Sequence, residues 1–154
     1  MAVQPIPQGY HRVNMHLTFK DATKPMEFYK KAFGAEQRML MPGMGGKGVM
    51  HAELRIGDTT IFLADDMMNE GKTVESGHGA AFVPHLWVND TDATWKRAVD
   101  AGCKEVMPLK NQFWGDRYGQ VVDPFGMRWA IATHVEDVSP EEMTKRMQKE
   151  MASR

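Results

Sequence analysis

Three points in the first half of the chain recur in the second half at a nearly constant spacing, and that repeat constrains the fold more than any single motif. Met15-His16-Leu17 returns as Pro84-His85-Leu86, with residue 85 lying 69 positions after residue 16. The helix-ending Phe33-Gly34-Ala35 returns as Ala101-Gly102-Cys103, with residue 102 lying 68 positions after residue 34. The turn at Ile56-Gly57-Asp58 returns at Pro124-Phe125-Gly126, with residue 126 again 68 positions after residue 58. Few residues match in type, but a common offset across three elements points to two copies of one module. The total of 154 residues is the usual size of one compact domain rather than two. The expectation is a single domain over 1–154, with module 1 at about 10–66, module 2 at about 80–135 and a C-terminal helix at about 139–152.

Each module reads as βαβββ. Residues 13–19 alternate, with Val13, Met15, Leu17 and Phe19 apolar, as a strand with one covered face does. A helix is predicted over 23–33, with Pro25 in its first turn and Gly34 supplying the left-handed residue that ends it. Strands follow near 36–41, 48–56 and 59–65, the last two joined by the hairpin pair Gly57-Asp58. In the second module a strand is predicted near 81–88, then a helix capped by Asp90 or Thr91 that stops at Gly102. Strands near 104–109, 114–122 and 127–134 complete it. Ser139-Pro140-Glu141-Glu142 carries a helix-start signature: a capping serine, proline at the first position and acids in the first turn. Met143, Met147 and Met151 then share one helix face and read as a docking surface.

Composition removes several classes of function. Nineteen Lys and Arg against twenty Asp and Glu give a net charge of −1, without the basic field a nucleic-acid protein uses. One cysteine, Cys103, excludes an internal disulfide and a multi-thiolate zinc site. No apolar run approaches the roughly 20 residues of a membrane span. Met1-Ala2-Val3-Gln4-Pro5-Ile6-Pro7 lacks the basic and apolar regions of a signal peptide, so a cytoplasmic setting is expected. Fourteen methionines are an excess for this length.

Glu27-Phe28-Tyr29-Lys30-Lys31-Ala32-Phe33-Gly34-Ala35-Glu36 and Asp123-Pro124-Phe125-Gly126 resemble segments of the vicinal oxygen chelate superfamily, which includes glyoxalase I, bleomycin-resistance proteins and extradiol dioxygenases. Met50-His51-Ala52-Glu53-Leu54, Phe113-Trp114-Gly115-Asp116-Arg117-Tyr118-Gly119 and His134-Val135-Glu136-Asp137-Val138-Ser139 resemble its PhnB-like branch. The resemblance covers about residues 10–147. It implies an α+β fold of two βαβββ modules with curved mixed sheets around a cavity, in a homodimer, the cavities lying either within one chain or across the dimer. It also implies four pseudo-symmetric metal positions, which by spacing fall on Asn14, Phe62, Val83 and Ala130. Phenylalanine, valine and alanine offer no side-chain ligand, so no metal and no other cofactor is expected at that site.

Strand alternation gives the residues of the cavity face. Asn14, His16 and Thr18 lie on the first strand, and Val83, His85 and Trp87 on its counterpart. On the strand over 48–56, Met50, Ala52, Leu54 and Ile56 are predicted under the helix, leaving His51, Glu53 and Arg55 on the cavity side. Arg128, Ala130, Ala132 and His134 share the last strand. The candidate ligand-binding set is therefore His16, His51, Glu53, His85, Trp87 and Arg128, with Trp114 and Arg117 added as nearby residues whose chemistry suits a ligand. Three readings of the histidines stay open. They are hydrogen-bonded wall residues without chemistry; or they bind an anionic or aromatic small molecule with the tryptophans and Arg117. In the third, His16, His85 and either His51 or Glu53 form a displaced metal site of a lyase, isomerase or oxygenase. Met44-Gly45-Gly46-Lys47-Gly48 is a hairpin loop, not a phosphate loop, since no Ser or Thr follows the lysine and a strand comes next. Cys103 has no evident activating base, and Trp95 and Trp129 read as core. Met39, Met41, Met44, Met67 and Met68 are expected at the cavity mouth.

Overall fold

The computed structural model describes residues 5–78 and 82–153; the expected strand start at residue 81 and module start at residue 80 lie outside them. The chain groups into two compact units, Met1–Phe82 with Phe125–Met127, and Val83–Pro124 with Arg128–Arg154.

In the first unit the order is β1 (His16–Phe19), α1 (Thr23–Phe33), β2 (Glu36–Pro42), β3 (Val49–Ile56) and β4 (Thr59–Asp65), forming a sheet of order β1-β4-β3-β2. Strand β1 runs parallel to β4, in register His16↔Phe62, and the remaining pairs are antiparallel. Helix α1 has no side-chain N-cap; the Ala22 N–H instead donates to Asp65 Oδ1 at 2.7 Å. Asp65 Oδ2 also accepts from the Val49 N–H, so one carboxylate ties the helix start to the head of β3. A side chain at residue 48 would collide with that carboxylate, and Gly48 has φ 69°. Both demands require glycine. At the other end Gly34, at φ 66°, donates its N–H to the Tyr29 carbonyl and closes the helix. The core lies between α1 (Met26, Phe28, Tyr29, Ala32, Phe33) and the covered sheet face of Leu17, Phe19, Leu54, Ile61 and Leu63, all buried. Phe125 joins it, its ring 5.9 Å from Phe19 and 5.7 Å from Phe28.

The second unit repeats this with β5 (His85–Trp87), α2 (Thr91–Ala101), β6 (Lys104–Asn111), β7 (Asp116–Val122) and β8 (Arg128–His134), in sheet order β5-β8-β7-β6. Strand β5 is parallel to β8 in register His85↔Ala130, the counterpart of His16↔Phe62. Asp90 caps α2 by accepting from the Ala93 N–H. Val121, Trp129 and Ile131 are buried, and the Trp129 Nε1–H donates to the buried Asp123 at the hairpin. Helix α3 (Pro140–Ala152) is capped by Ser139 and tied by Arg146 to Glu136 and Glu142 and by Lys110 to Glu150. None of its residues is buried. The architecture is α+β, two βαβββ modules plus a C-terminal helix, as the repeat implies.

Four local expectations need correction. The first strand starts at His16, not at residue 13, and Val13 is 85% exposed. Parallel pairing with β4 stops at Phe62, and Asn14 spends its amide on the Thr60 carbonyl instead. Strand β5 covers only 85–87, because Pro84 has no N–H for the ladder and contributes only its carbonyl, to Ala130. Strand β7 begins at Asp116 rather than 114, since Gly115, at φ 101°, still belongs to the turn. Met50 is not under the helix but 40% exposed. Partners Met41↔His51 and Pro42↔Val49 leave Met50 as the extra residue of a β-bulge, which turns both Met50 and His51 to the open side.

Candidate functional site

On each sheet the face opposite the helix carries the polar and aromatic side chains. In the second unit that face is built on an alanine floor. Ala130 and Ala132 occupy central strand β8, flanked by His85 and Trp87 on β5 and by Gln120 and Tyr118 on β7. Strands are ~4.8 Å apart, so side chains on β5 and β7 reach each other only across a small residue. Here they do: the His85 ring lies 4.5 Å from Trp87 and 5.6 Å from Tyr118, and Tyr118 meets Trp114 edge-on at 5.5 Å. Hydrogen bonds fix this group. Gln120 Nε2 donates to the Tyr118 hydroxyl at 2.6 Å, and the Trp114 indole N–H to Asp116 Oδ2 at 2.8 Å. His134 bonds Asp137 Oδ1 and Asp116 Oδ1 through its two nitrogens, which raises its pKa, Asp137 contributing most. Trp87 is 57% exposed over this platform.

In the first unit the open face gathers around Glu53, only 7% exposed. Its carboxyl accepts from the Tyr10 hydroxyl at 2.5 Å and meets His51 Nε2 at 3.2 Å. Phe62 underlies the group, with rings of His51 at 5.2 Å, Tyr10 at 6.0 Å and His16 at 6.3 Å. The hydrogen bond to Glu53 raises the Tyr10 pKa, and burial, followed by the neighbouring His51, lowers that of His16. Residues 5–14 cross this face and help line an open hollow of about 530 Å³ whose lining includes Tyr10, Arg12, Asn14, Glu53 and Phe62.

The expected site residues are distributed over both units. His16, His51 and Glu53 share the open face of the first unit; His85, Trp87 and Trp114 share that of the second, and Arg128 is exposed at the start of β8. Arg117 points the other way. Its guanidinium grips Asp92 of α2 with two bonds, at 2.6 and 2.5 Å, and Asn111 with a third. The odd-numbered residues of β7 face α2, as Gly119 against Trp95 shows. Sequence reasoning missed Tyr10, Tyr118 and Gln120. Alternation along β7 carries the signal for the last two, since Tyr118 and Gln120 flank Gly119.

The metal set that the resemblance implies does not fit these residues. The Asn14 amide is committed to Thr60, Phe62 is an aromatic wall and Ala130 is the buried floor. Among the described residues no three His, Cys, Asp or Glu side chains are gathered so as to hold an ion, and no helix is long and apolar enough to cross a membrane.

Comparison with known proteins follows the same geometry. The family described as Glyoxalase/Bleomycin resistance protein/Dioxygenase superfamily matches residues 10–131. An uncharacterised protein of Mycobacterium bovis is 43% identical over 136 residues, covering 86% of this chain and 89% of its own length. Among solved structures, TioX from Micromonospora sp. ML1 aligns with TM-score 0.64 at 24% identity, covering 80% of this chain and 99% of TioX. The PhnB protein from Bacillus cereus aligns with TM-score 0.64 at 18% identity, covering 80% and 99%. At these identities the two structures speak for the fold alone.

Proposed function

The chain belongs to the Glyoxalase/Bleomycin resistance protein/Dioxygenase superfamily, and from that premise we propose a cytoplasmic, homodimeric small-molecule-binding protein that works without the superfamily's usual metal ligands. Its ligand carries a flat aromatic or heteroaromatic ring. The observation that carries this reading is the exposed Trp87 indole, packed beside the His85 ring, which itself lies next to Tyr118, on the alanine floor. A large exposed aromatic side chain, packed on a neighbouring ring that in turn meets the hydrogen-bonded Tyr118, offers a stacking surface that costs little to order. Arg117 is assigned to α2 and not to the ligand, since Asp92 and Asn111 occupy its donors. Neither nucleic acid nor membrane is a partner in this reading.

The test is a fluorescence titration of the chain and of Trp87→Ala with a panel of planar heteroaromatic compounds. Removal of a stacking ring costs about 1–3 kcal/mol, roughly a 5- to 150-fold loss of affinity. Saturable binding that weakens by this factor is the expected result. If a correctly folded Trp87→Ala chain binds as tightly as the parent, the platform is not the site.

A further inference from the structure

Beside edge strand β1 of the first unit, a hollow of about 300 Å³ is lined by Met50, Met67 and Met68 together with His16. The fold does not need these thioethers there. Met50 reaches the open side only through the bulge in β3, and Met67 and Met68 are more than half exposed on the loop after β4. We propose that this hollow is a soft monovalent metal site, for Cu(I) or its redox-inert analogue Ag(I), with the Met50, Met67 and Met68 sulfurs and one His16 nitrogen as ligands.

Thioether sulfur is polarizable and selects Cu(I) over harder ions, and imidazole is the nitrogen donor that suits copper. A ligating imidazole must be neutral, and burial, followed by the neighbouring His51, lowers the His16 pKa. The groups facing the hollow favour a cation. Asp65, Asp66 and Glu70 stand against a single Lys72. Asp66 accepts from the Glu70 and Gly71 N–H groups and so fixes the loop that carries the two methionines, while Lys72 is held by Glu70 at 3.4 Å. The site lies in a different unit from the Trp87 platform, does not depend on it, and uses none of the superfamily's metal positions. No electron transfer is involved: the ion binds and leaves in one oxidation state.

The experiment titrates the full chain with Ag(I) in chloride-free buffer, and anaerobically with Cu(I) against a competing chelator, following the methionine methyl NMR signals. A Met50→Leu/Met67→Leu/Met68→Leu chain keeps volume and removes only sulfur. One ion per chain is expected, with the Met50, Met67 and Met68 methyls shifting first. The triple variant is expected to bind on the order of a hundredfold more weakly, at or beyond what losing one supporting contact around a metal costs. Met143→Leu/Met147→Leu/Met151→Leu on α3 is expected to bind like the parent, as is Cys103→Ala, which removes the one thiol. The proposal is overturned if the groove variant binds as tightly as the parent, or if the α3 variant or Cys103→Ala loses as much.

Discussion

Gly119→Ala is the substitution for which this structure makes the least expected forecast. Glycine in a central strand is normally a weakness, and alanine there would ordinarily gain roughly 0.4–1 kcal/mol by restricting the unfolded chain. A Cβ at residue 119, however, would stand 2.6 Å from Trp95 Cζ3, 2.9 Å from Cη2 and 3.0 Å from the Leu109 Cα. The Leu109 backbone belongs to β6 and cannot swing aside, so the ring or the strand must move. Overpacking of this kind costs about 1–3 kcal/mol. Against the unfolded-state gain, a net loss of about 1–2 kcal/mol remains, or roughly 2–8 °C in Tm for a chain of this size. Thermal unfolding by circular dichroism reads it directly. Trp95→Leu in the same chain is expected to recover part of the loss, because it removes the obstructing ring edge. A Gly119→Ala chain as stable as the parent, or more so, would refute the placement of Trp95 over β7. It would also refute the assignment of Tyr118 and Gln120 to the open face.

Two further outcomes follow from titrating groups. Asp137 and Asp116 raise the pKa of His134 above its ordinary 6.5. The stability it contributes is complete below that value and is lost as pH rises through the higher folded one, so Tm measured from pH 6 upward should fall in the parent and fall less in His134→Gln. Burial, helped by Asp123, pushes the Cys103 thiol up to about 12. Alkylation by iodoacetamide at pH 8 should therefore be far slower in the folded chain than in denaturant; equal rates would contradict its burial.

Much of the fold was legible because it rests on local chemistry repeated twice. Gly34 and Gly102 end their helices, Ser139 and Asp90 cap theirs, and Gly57-Asp58 turns its hairpin, as their residue types require. What alternation could not show was where it breaks. The extra residue that bulges β3 is invisible in the run Val49-Met50-His51, since nothing in the composition distinguishes a bulged methionine from a buried one. The strand at residue 13 failed for a tertiary reason: an apolar-polar alternation extends only as far as a partner strand exists to pair with it. The candidate site was legible in part. His16, His51 and Glu53 fall together because β1 and β3 flank β4 in one sheet and the three side chains share its open face around Phe62. Arg117 was placed among the ligand residues on chemistry alone, whereas its parity on β7 turns it toward Asp92. Tyr10 precedes any strand, and only the folded chain brings its hydroxyl to Glu53. Part of the methionine excess gains a place as well, with Met50, Met67 and Met68 around one hollow.

The central claim is the proposal that this chain binds a planar small molecule through its aromatic platform and without the metal that the resemblance to vicinal oxygen chelate proteins implies. The most direct measurement is the affinity for one bound heteroaromatic compound before and after exhaustive EDTA treatment, and again with added Zn²⁺. The account predicts the same dissociation constant under all three conditions, and a weaker one only in Trp87→Ala. Binding that disappears with EDTA and returns with Zn²⁺ would contradict it.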